Sequence, residues 1–159
     1  LIITPCNNPV KCKNDKVNKS YSVKSPVPQG INNNKVLNIH LGGTDGKDLT
    51  IWDDAGVSQQ RFKFEYDESK NAYRIRDWYY GGYLSCDLDV NSNRVSTYQQ
   101  CQTASYWALE PTGDGYYYIK NLHNGKVLDV NGSKTFNGNT VIAYKQSGSN
   151  NQKFKLVQQ

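Results

Sequence analysis

Lys126-Val127-Leu128-Asp129-Val130, then Val141-Ile142-Ala143-Tyr144-Lys145, then Gln152-Lys153-Phe154 is the stretch whose reading decides the fold. The same three phrases occur twice before it, at a spacing of about 46 residues. The first is Lys35-Val36-Leu37-Asn38-Ile39 in one copy and Gly82-Tyr83-Leu84-Ser85-Cys86 in the other. The second is Leu49-Thr50-Ile51-Trp52-Asp53 and Val95-Ser96-Thr97-Tyr98-Gln99, and the third is Gln60-Arg61-Phe62 and Ser105-Tyr106-Trp107. Self-similarity at a fixed period marks a repeat architecture, in which each copy is one supersecondary unit that cannot bury its apolar face alone.

Upstream of each first phrase stands Tyr21-Ser22-Val23, Tyr73-Arg74-Ile75 or Tyr117-Tyr118-Ile119. Aromatic and β-branched residues two apart make a half-buried strand. The first copy is five residues longer here, an insertion that falls in Ser25–Gly30. Each unit therefore reads as four short strands: Tyr-x-Val/Ile, the Leu-centred phrase, a strand ending in an aromatic, and the strand after Gln-x-Phe. Turns rich in Gly and Asn separate them, at Gly42-Gly43, Gly81-Gly82, Asn124-Gly125 and Asn137-Gly138. Twelve strands in three like units must share one core, with Leu37, Leu84 and Leu128 equivalent and Phe62, Trp107 and Phe154 equivalent. No helical period runs beyond about six residues.

Composition agrees with an all-β chain. Of 159 residues 36% are apolar, Met is absent and Tyr occurs 12 times. The length suits one domain. No apolar run reaches the ~18 residues of a membrane span. Four Cys, an even number, favour two disulfides and an oxidising, secreted setting. Cys6 and Cys12 would close a small loop, and Cys86 and Cys101 would tie two phrases of the middle repeat. Zinc would need four ligands at metal spacing, and neither His40 nor His123 lies near a Cys. The absence of Met before Leu1 fits removal of a signal peptide or trimming of the chain. The net charge of +5 resides in residues 1–35, with six Lys and one Asp, while residues 36–159 balance. Residues 1–20 thus read as a basic, irregular arm, either simply solvated or a tether to acidic glycans, lipid head groups or partner subunits.

Three units of this length, each with a Leu-Asp-Val-like strand, an aromatic-ended strand and a Gln-x-Trp/Phe close, resemble the ricin-type β-trefoil lectin family. The resemblance covers residues 21–159, with repeats at about 21–66, 67–112 and 113–159. It implies a β-trefoil of three four-stranded repeats and a carbohydrate-binding function. A sugar presents hydroxyls that want charged or amide partners and a C–H face that packs on an aromatic ring. In the family the parts are the Asp of the Leu-Asp-Val strand, the aromatic ending the third strand, and the Asn before the Gln of Gln-x-Trp.

The third repeat matches throughout. By resemblance Asp129 accepts from two sugar hydroxyls, Tyr144 stacks on the ring, Asn151 bonds a hydroxyl, and Gln152 supports Asp129. Ile142 departs from the family, which often carries a polar residue there. The first repeat is a partial match and a second candidate site: Trp52 is the larger platform and Gln59 and Gln60 replace Asn-Gln, but Asn38 replaces the carboxylate. Asp53 or Asp54 would be an alternative source of that charge. In the second repeat Ser85 replaces Asp, Ser105 and Tyr106 stand for Asn-Gln, and Cys101 follows Tyr98 closely, so it reads as scaffold.

Other chemistry fails on inspection. Asp87-x-Asp89-x-Asn91 begins like a calcium loop, but Ser92 occupies the sixth place and Tyr98 the twelfth. No nucleophile motif or phosphate-cradling Gly loop is present. The expectation is a secreted lectin without catalysis, metal or cofactor. It would bind galactose- or N-acetylgalactosamine-type glycans on cell-surface glycoproteins or glycolipids, and no nucleic acid. The cell-binding subunit of a toxin and an agglutinin both fit. A protein-binding β-trefoil with vestigial sugar sites, acting as protease inhibitor or receptor ligand, is the alternative.

Overall fold

The computed structural model describes residues 19–24, 34–39 and 47–159. Most of the basic arm with Cys6 and Cys12, the Ser25–Gly30 insertion, His40 and the Gly42-Gly43 turn lie outside the described residues. The first strand begins at Lys19, two residues before Tyr21, where the repeat grammar starts.

Twelve strands follow in the expected groups of four. The first repeat holds β1 (Lys19–Lys24), β2 (Lys35–Ile39), β3 (Lys47–Asp53) and β4 (Phe62–Asp67). The second holds β5 (Ala72–Asp77), β6 (Tyr83–Cys86), β7 (Val95–Tyr98) and β8 (Tyr106–Pro111). The third holds β9 (Tyr117–Asn121), β10 (Val127–Val130), β11 (Val141–Tyr144) and β12 (Lys155–Gln158). Among the described residues the only helical segments are single 3-10 turns. One of them precedes the fourth strand of every repeat, at Ser58–Gln60, Thr103–Ser105 and Asn150–Gln152.

The first and fourth strands close on themselves. β1 pairs with β4, β4 with β5, β5 with β8 and β8 with β9. A bridge between Tyr117 and Phe154 then leads to β12, which pairs with β1. A closed ring leaves no sheet edge exposed. The second and third strands form three hairpins, β2–β3, β6–β7 and β10–β11, that cap one end of this barrel. The hairpins meet through β3 and β7, through a Thr50–Thr140 bridge, and through the Ala143 N–H donating to the Asn93 carbonyl at 2.8 Å. This arrangement is a β-trefoil.

The core is the threefold pattern made solid. Phe62, Trp107 and Phe154 are fully buried, as are Leu37, Leu84 and Leu128, and the Trp107 indole N–H donates to the Leu84 carbonyl at 2.9 Å. Tyr21 and Tyr117 are buried and Tyr73 packs on the same cluster. Burial pushes the Tyr73 and Tyr117 phenols up to about 12. Alternation explains β9, in which Tyr117, Ile119 and Asn121 are buried and the residues between them are not. It fails on β10, where all four residues are buried, because the Asn150–Gln152 turn lies against the outer face as well.

The expected Cys86–Cys101 disulfide is not formed, and both residues are free thiols. Cys86 ends β6 with its side chain in the core opposite Val95. Cys101 lies past the end of β7, its thiol donating to the Gln102 carbonyl at 3.9 Å. Burial pushes the Cys86 thiol up to about 11, so it behaves as a small apolar residue.

Candidate functional site

The third hairpin carries a carboxylate built into a polar frame. In the β10–β11 register Asp129 stands opposite Ile142, and Val127 opposite Tyr144. These four share the outer face, because Leu128 and Ala143 take the core face. Asp129 is only 6% exposed. Its Oδ1 accepts from the Asn151 amide at 2.9 Å and its Oδ2 from the Gln152 amide at 2.8 Å. Each oxygen keeps lone-pair capacity for a further donor. Burial pushes the carboxyl above its ordinary range, and the two amide donors offset part of that rise.

The frame is anchored to backbone. The Gln152 amide also donates to the Lys145 carbonyl at 2.9 Å, while its oxygen accepts from the Ser147 N–H at 2.8 Å. Asn151 donates in addition to the Val130 carbonyl at 3.2 Å and accepts from the Ser149 hydroxyl at 2.6 Å. Both amides therefore hold Asp129, whereas the sequence reading gave that task to Gln152 alone. Beside them Tyr144 is 51% exposed. A fixed acceptor next to an open aromatic face suits a neutral ligand with adjacent hydroxyls and a C–H surface.

The first hairpin keeps the frame and loses the charge. Gln60 makes the two backbone bonds that Gln152 makes, donating to the Asp53 carbonyl and accepting from Ala55 N–H, both at 2.8 Å. Asn38, opposite Thr50, donates to the Thr50 hydroxyl at 3.3 Å. Trp52 is exposed and Gln59 half-buried. Neither neighbouring carboxylate replaces the missing one. Asp53 alternates to the other face of β3 from Trp52. There Lys35, at 2.6 Å, and Asn137, at 2.9 Å, hold its carboxyl below the ordinary range. Asp54 accepts from the Gly56 N–H within its own turn.

In the second hairpin the residues in the place of Asn-Gln are Ala104 and Ser105, one position earlier than the sequence alignment put them. Ser85 is fully buried and accepts from the Gln102 amide at 2.8 Å, so a Gln three residues before Ser105 fills the space. Tyr98 is half-buried and donates to Asp87 at 3.0 Å, and Ser92 donates to the other Asp87 oxygen at 2.6 Å. No group of three or more potential metal ligands occurs among the described residues.

Sequence reasoning missed one structural device. Lys126 donates to the Val90 and Ser92 carbonyls and the Asn93 amide oxygen, at 2.8, 3.0 and 3.0 Å. Lys35 reaches Asn137 at 2.6 Å in the same manner. In each case the Lys ties its hairpin to the loop of another repeat. The signal was available: Lys opens the first phrase of repeats one and three, and Gly82 stands there in repeat two.

Comparison with known proteins agrees with this fold. The profile described as ricin-type beta-trefoil lectin domain-like matches residues 58–144 and 103–159. The main hemagglutinin component type C of Clostridium botulinum C phage is 30% identical over 110 residues, covering 67% of this chain and 38% of that protein. The chain thus spans well under half the length of this relative. Among solved structures, a mosquitocidal holotoxin superposes with a TM-score of 0.81 at 22% identity, over 89% of this chain and 17% of that one. An exo-beta-1,3-galactanase from Clostridium thermocellum, 1,3Gal43A, gives 0.76 at 26% identity, over 89% and 30%. With its threefold core, its hairpin frames and a profile match across most of its length, the chain belongs to the ricin-type β-trefoil lectin domain family.

Proposed function

We propose that this chain is a secreted, non-catalytic carbohydrate-binding protein that engages glycans chiefly through the third hairpin. The observation that carries the reading is the buried Asp129 carboxylate, braced by Asn151 and Gln152, beside the open ring of Tyr144. Galactose- or N-acetylgalactosamine-type sugars on cell-surface glycoproteins or glycolipids are the proposed ligands. The likeness to a galactanase at 26% identity supports that class. The hemagglutinin relative supports a role as an agglutinin, and the cell-binding subunit of a toxin is the other assembly proposed. Asn38, Trp52, Gln59 and Gln60 form a second, weaker site. Among the described residues no helix is long and apolar enough to cross a membrane.

A glycan array on the purified chain tests the class, with galactosides expected above background and other sugars at background. Tyr144→Ala removes an exposed ring, so galactoside affinity is expected to fall about tenfold while the melting temperature stays within about a degree. Galactoside binding that survives both Tyr144→Ala and loss of Asp129 would move the principal site away from the third hairpin, and no glycan binding by the wild type would transfer the function to a protein-binding surface.

Acidity supplies a second test, with two opposite signs. Sugar hydroxyls donate to ionised Asp129, and its carboxyl titrates above the ordinary range. Affinity is therefore expected to fall on acidification at a pH higher than an ordinary Asp, near ~3.9, would give. The stability contribution runs the other way. A carboxyl with a folded-state pKa above its unfolded value binds more protons when folded, so its contribution falls as pH rises through that range. Calorimetric galactoside titrations between about pH 7 and pH 4 should lose affinity in the wild type at this higher pH.

A further inference from the structure

The loop between β10 and β11 does not stay within its own repeat. Residues Phe136–Asn139 form a turn closed by the Asn139 N–H on the Phe136 carbonyl at 3.2 Å. That turn is fastened along β3 of the first repeat. The Gly138 N–H donates to the Ile51 carbonyl and the Ile51 N–H to the Asn139 carbonyl, both at 2.9 Å. Asn137 accepts from the Asp53 N–H at 2.9 Å and from Lys35 at 2.6 Å, and donates to the Asp53 carboxylate at 2.9 Å. Behind it Asn139 donates to the Asn131 and Lys134 carbonyls at 2.9 and 2.8 Å, which stiffens the loop.

The fastening puts this turn against the first hairpin's aromatic. Gly138 lies so near Trp52 that a β-carbon there would stand 3.4 Å from the ring atom Cζ3. Phe136 opens the same turn, whose first and last α-carbons lie within about 7 Å of each other. It is 59% exposed, the most open large apolar side chain among the described residues, and Trp52 is 38% exposed. The phenyl ring at the tip of this stiff, otherwise polar loop is thus open to a ligand.

We propose that the first-repeat site is composite: Trp52 and Phe136, from different repeats, form a two-aromatic platform for an oligosaccharide of at least two pyranose rings. Asn38 and Gln59 supply neutral amides between hydroxyl partners. Without the carboxylate of the third hairpin, this site gains its affinity from apolar contact spread over two sugars. The loop is already ordered by its bonds to Asp53 and Ile51, so little ordering cost attends binding. This inference rests on the sugar-binding reading above and assigns the site a longer ligand.

The test uses Asp129→Ala to silence the third hairpin, with methyl β-galactoside and galactose-β-1,3-galactose as probes in titration calorimetry. The disaccharide is expected to bind more tightly than the monosaccharide. Adding Phe136→Ala should weaken the disaccharide about fivefold and leave the monosaccharide within about twofold. Asn137→Ala, which releases the turn from Asp53 and Lys35, should move the disaccharide in the same direction. An unchanged disaccharide affinity in Phe136→Ala, or no binding of either probe to Asp129→Ala, overturns the composite site while leaving the third hairpin standing. No galactoside binding by the wild type overturns the functional reading itself.

Discussion

Asp129→Ala is expected to lower galactoside affinity at the third hairpin by at least about a hundredfold and to leave the chain folded. Two charge-assisted hydrogen bonds to sugar hydroxyls disappear, and such bonds are worth about 1.5–3 kcal/mol each. The fold loses less than the burial of Asp129 would suggest. Gln152 keeps the Lys145 carbonyl and Asn151 keeps the Val130 carbonyl, so neither amide is orphaned. The carboxyl's raised pKa means that its ionised form is already disfavoured by burial. The net stability cost should be about 1 kcal/mol, which shifts a domain of this size by about 2–4 °C. Asp129→Asn sharpens the result. It preserves shape but sets an NH2 group against one of two amide donors, so affinity should drop nearly as far. Retained affinity in Asp129→Asn would mean that the charge is not what holds the sugar.

The contrast between Asp129 and its counterparts explains how much of this site could be read in advance. Leu37, Leu84 and Leu128 repeat because one core needs them, and twelve strands fell where the repeated phrases put them. Asp129, Tyr144 and Asn151 could be grouped in advance because the family spacing puts them in one repeat, two on the third hairpin and one in the turn before β12. What the spacing could not carry is which way an amide turns. Asn151 faces Asp129, not open solvent, and Asn38 turns one amide proton to Thr50. Nor could it show that Asp53 alternates to the far face of β3, or that Gln102 reaches back to Ser85. Cys86 and Cys101 misled for a related reason: an even count suggests a pair, but the pleat turns Cys86 into the core. Lys35 and Lys126 left a trace, the Lys that opens two of the first phrases, but the partners of these Lys and the contacts of the Phe136–Asn139 turn have no local pattern. They become visible only when three hairpins meet.

The second repeat gives the sharpest separation of scaffold from site, through Trp107→Ala. Trp107 is fully buried and its indole N–H satisfies the Leu84 carbonyl inside the core. Truncation costs about 3–5 kcal/mol in lost transfer and cavity terms. It also leaves the Leu84 carbonyl without its partner, at about 1–3 kcal/mol more. Against a total of about 5–15 kcal/mol this removes most of the stability, so the variant should be unfolded or nearly so at 37 °C by far-UV circular dichroism. Trp107→Phe keeps the ring volume in part and loses the hydrogen bond. It should remain folded, with a lower urea midpoint and an unchanged slope. Its galactoside affinity should equal the wild type's, because Ser85 offers no carboxylate and the second hairpin contributes no binding to lose. A Trp107→Phe chain that folds but binds galactoside tenfold more weakly would place a sugar contact in the second repeat. Equal affinity at reduced stability would show that a repeat can keep its core residues for all three units after its own outer face has ceased to bind.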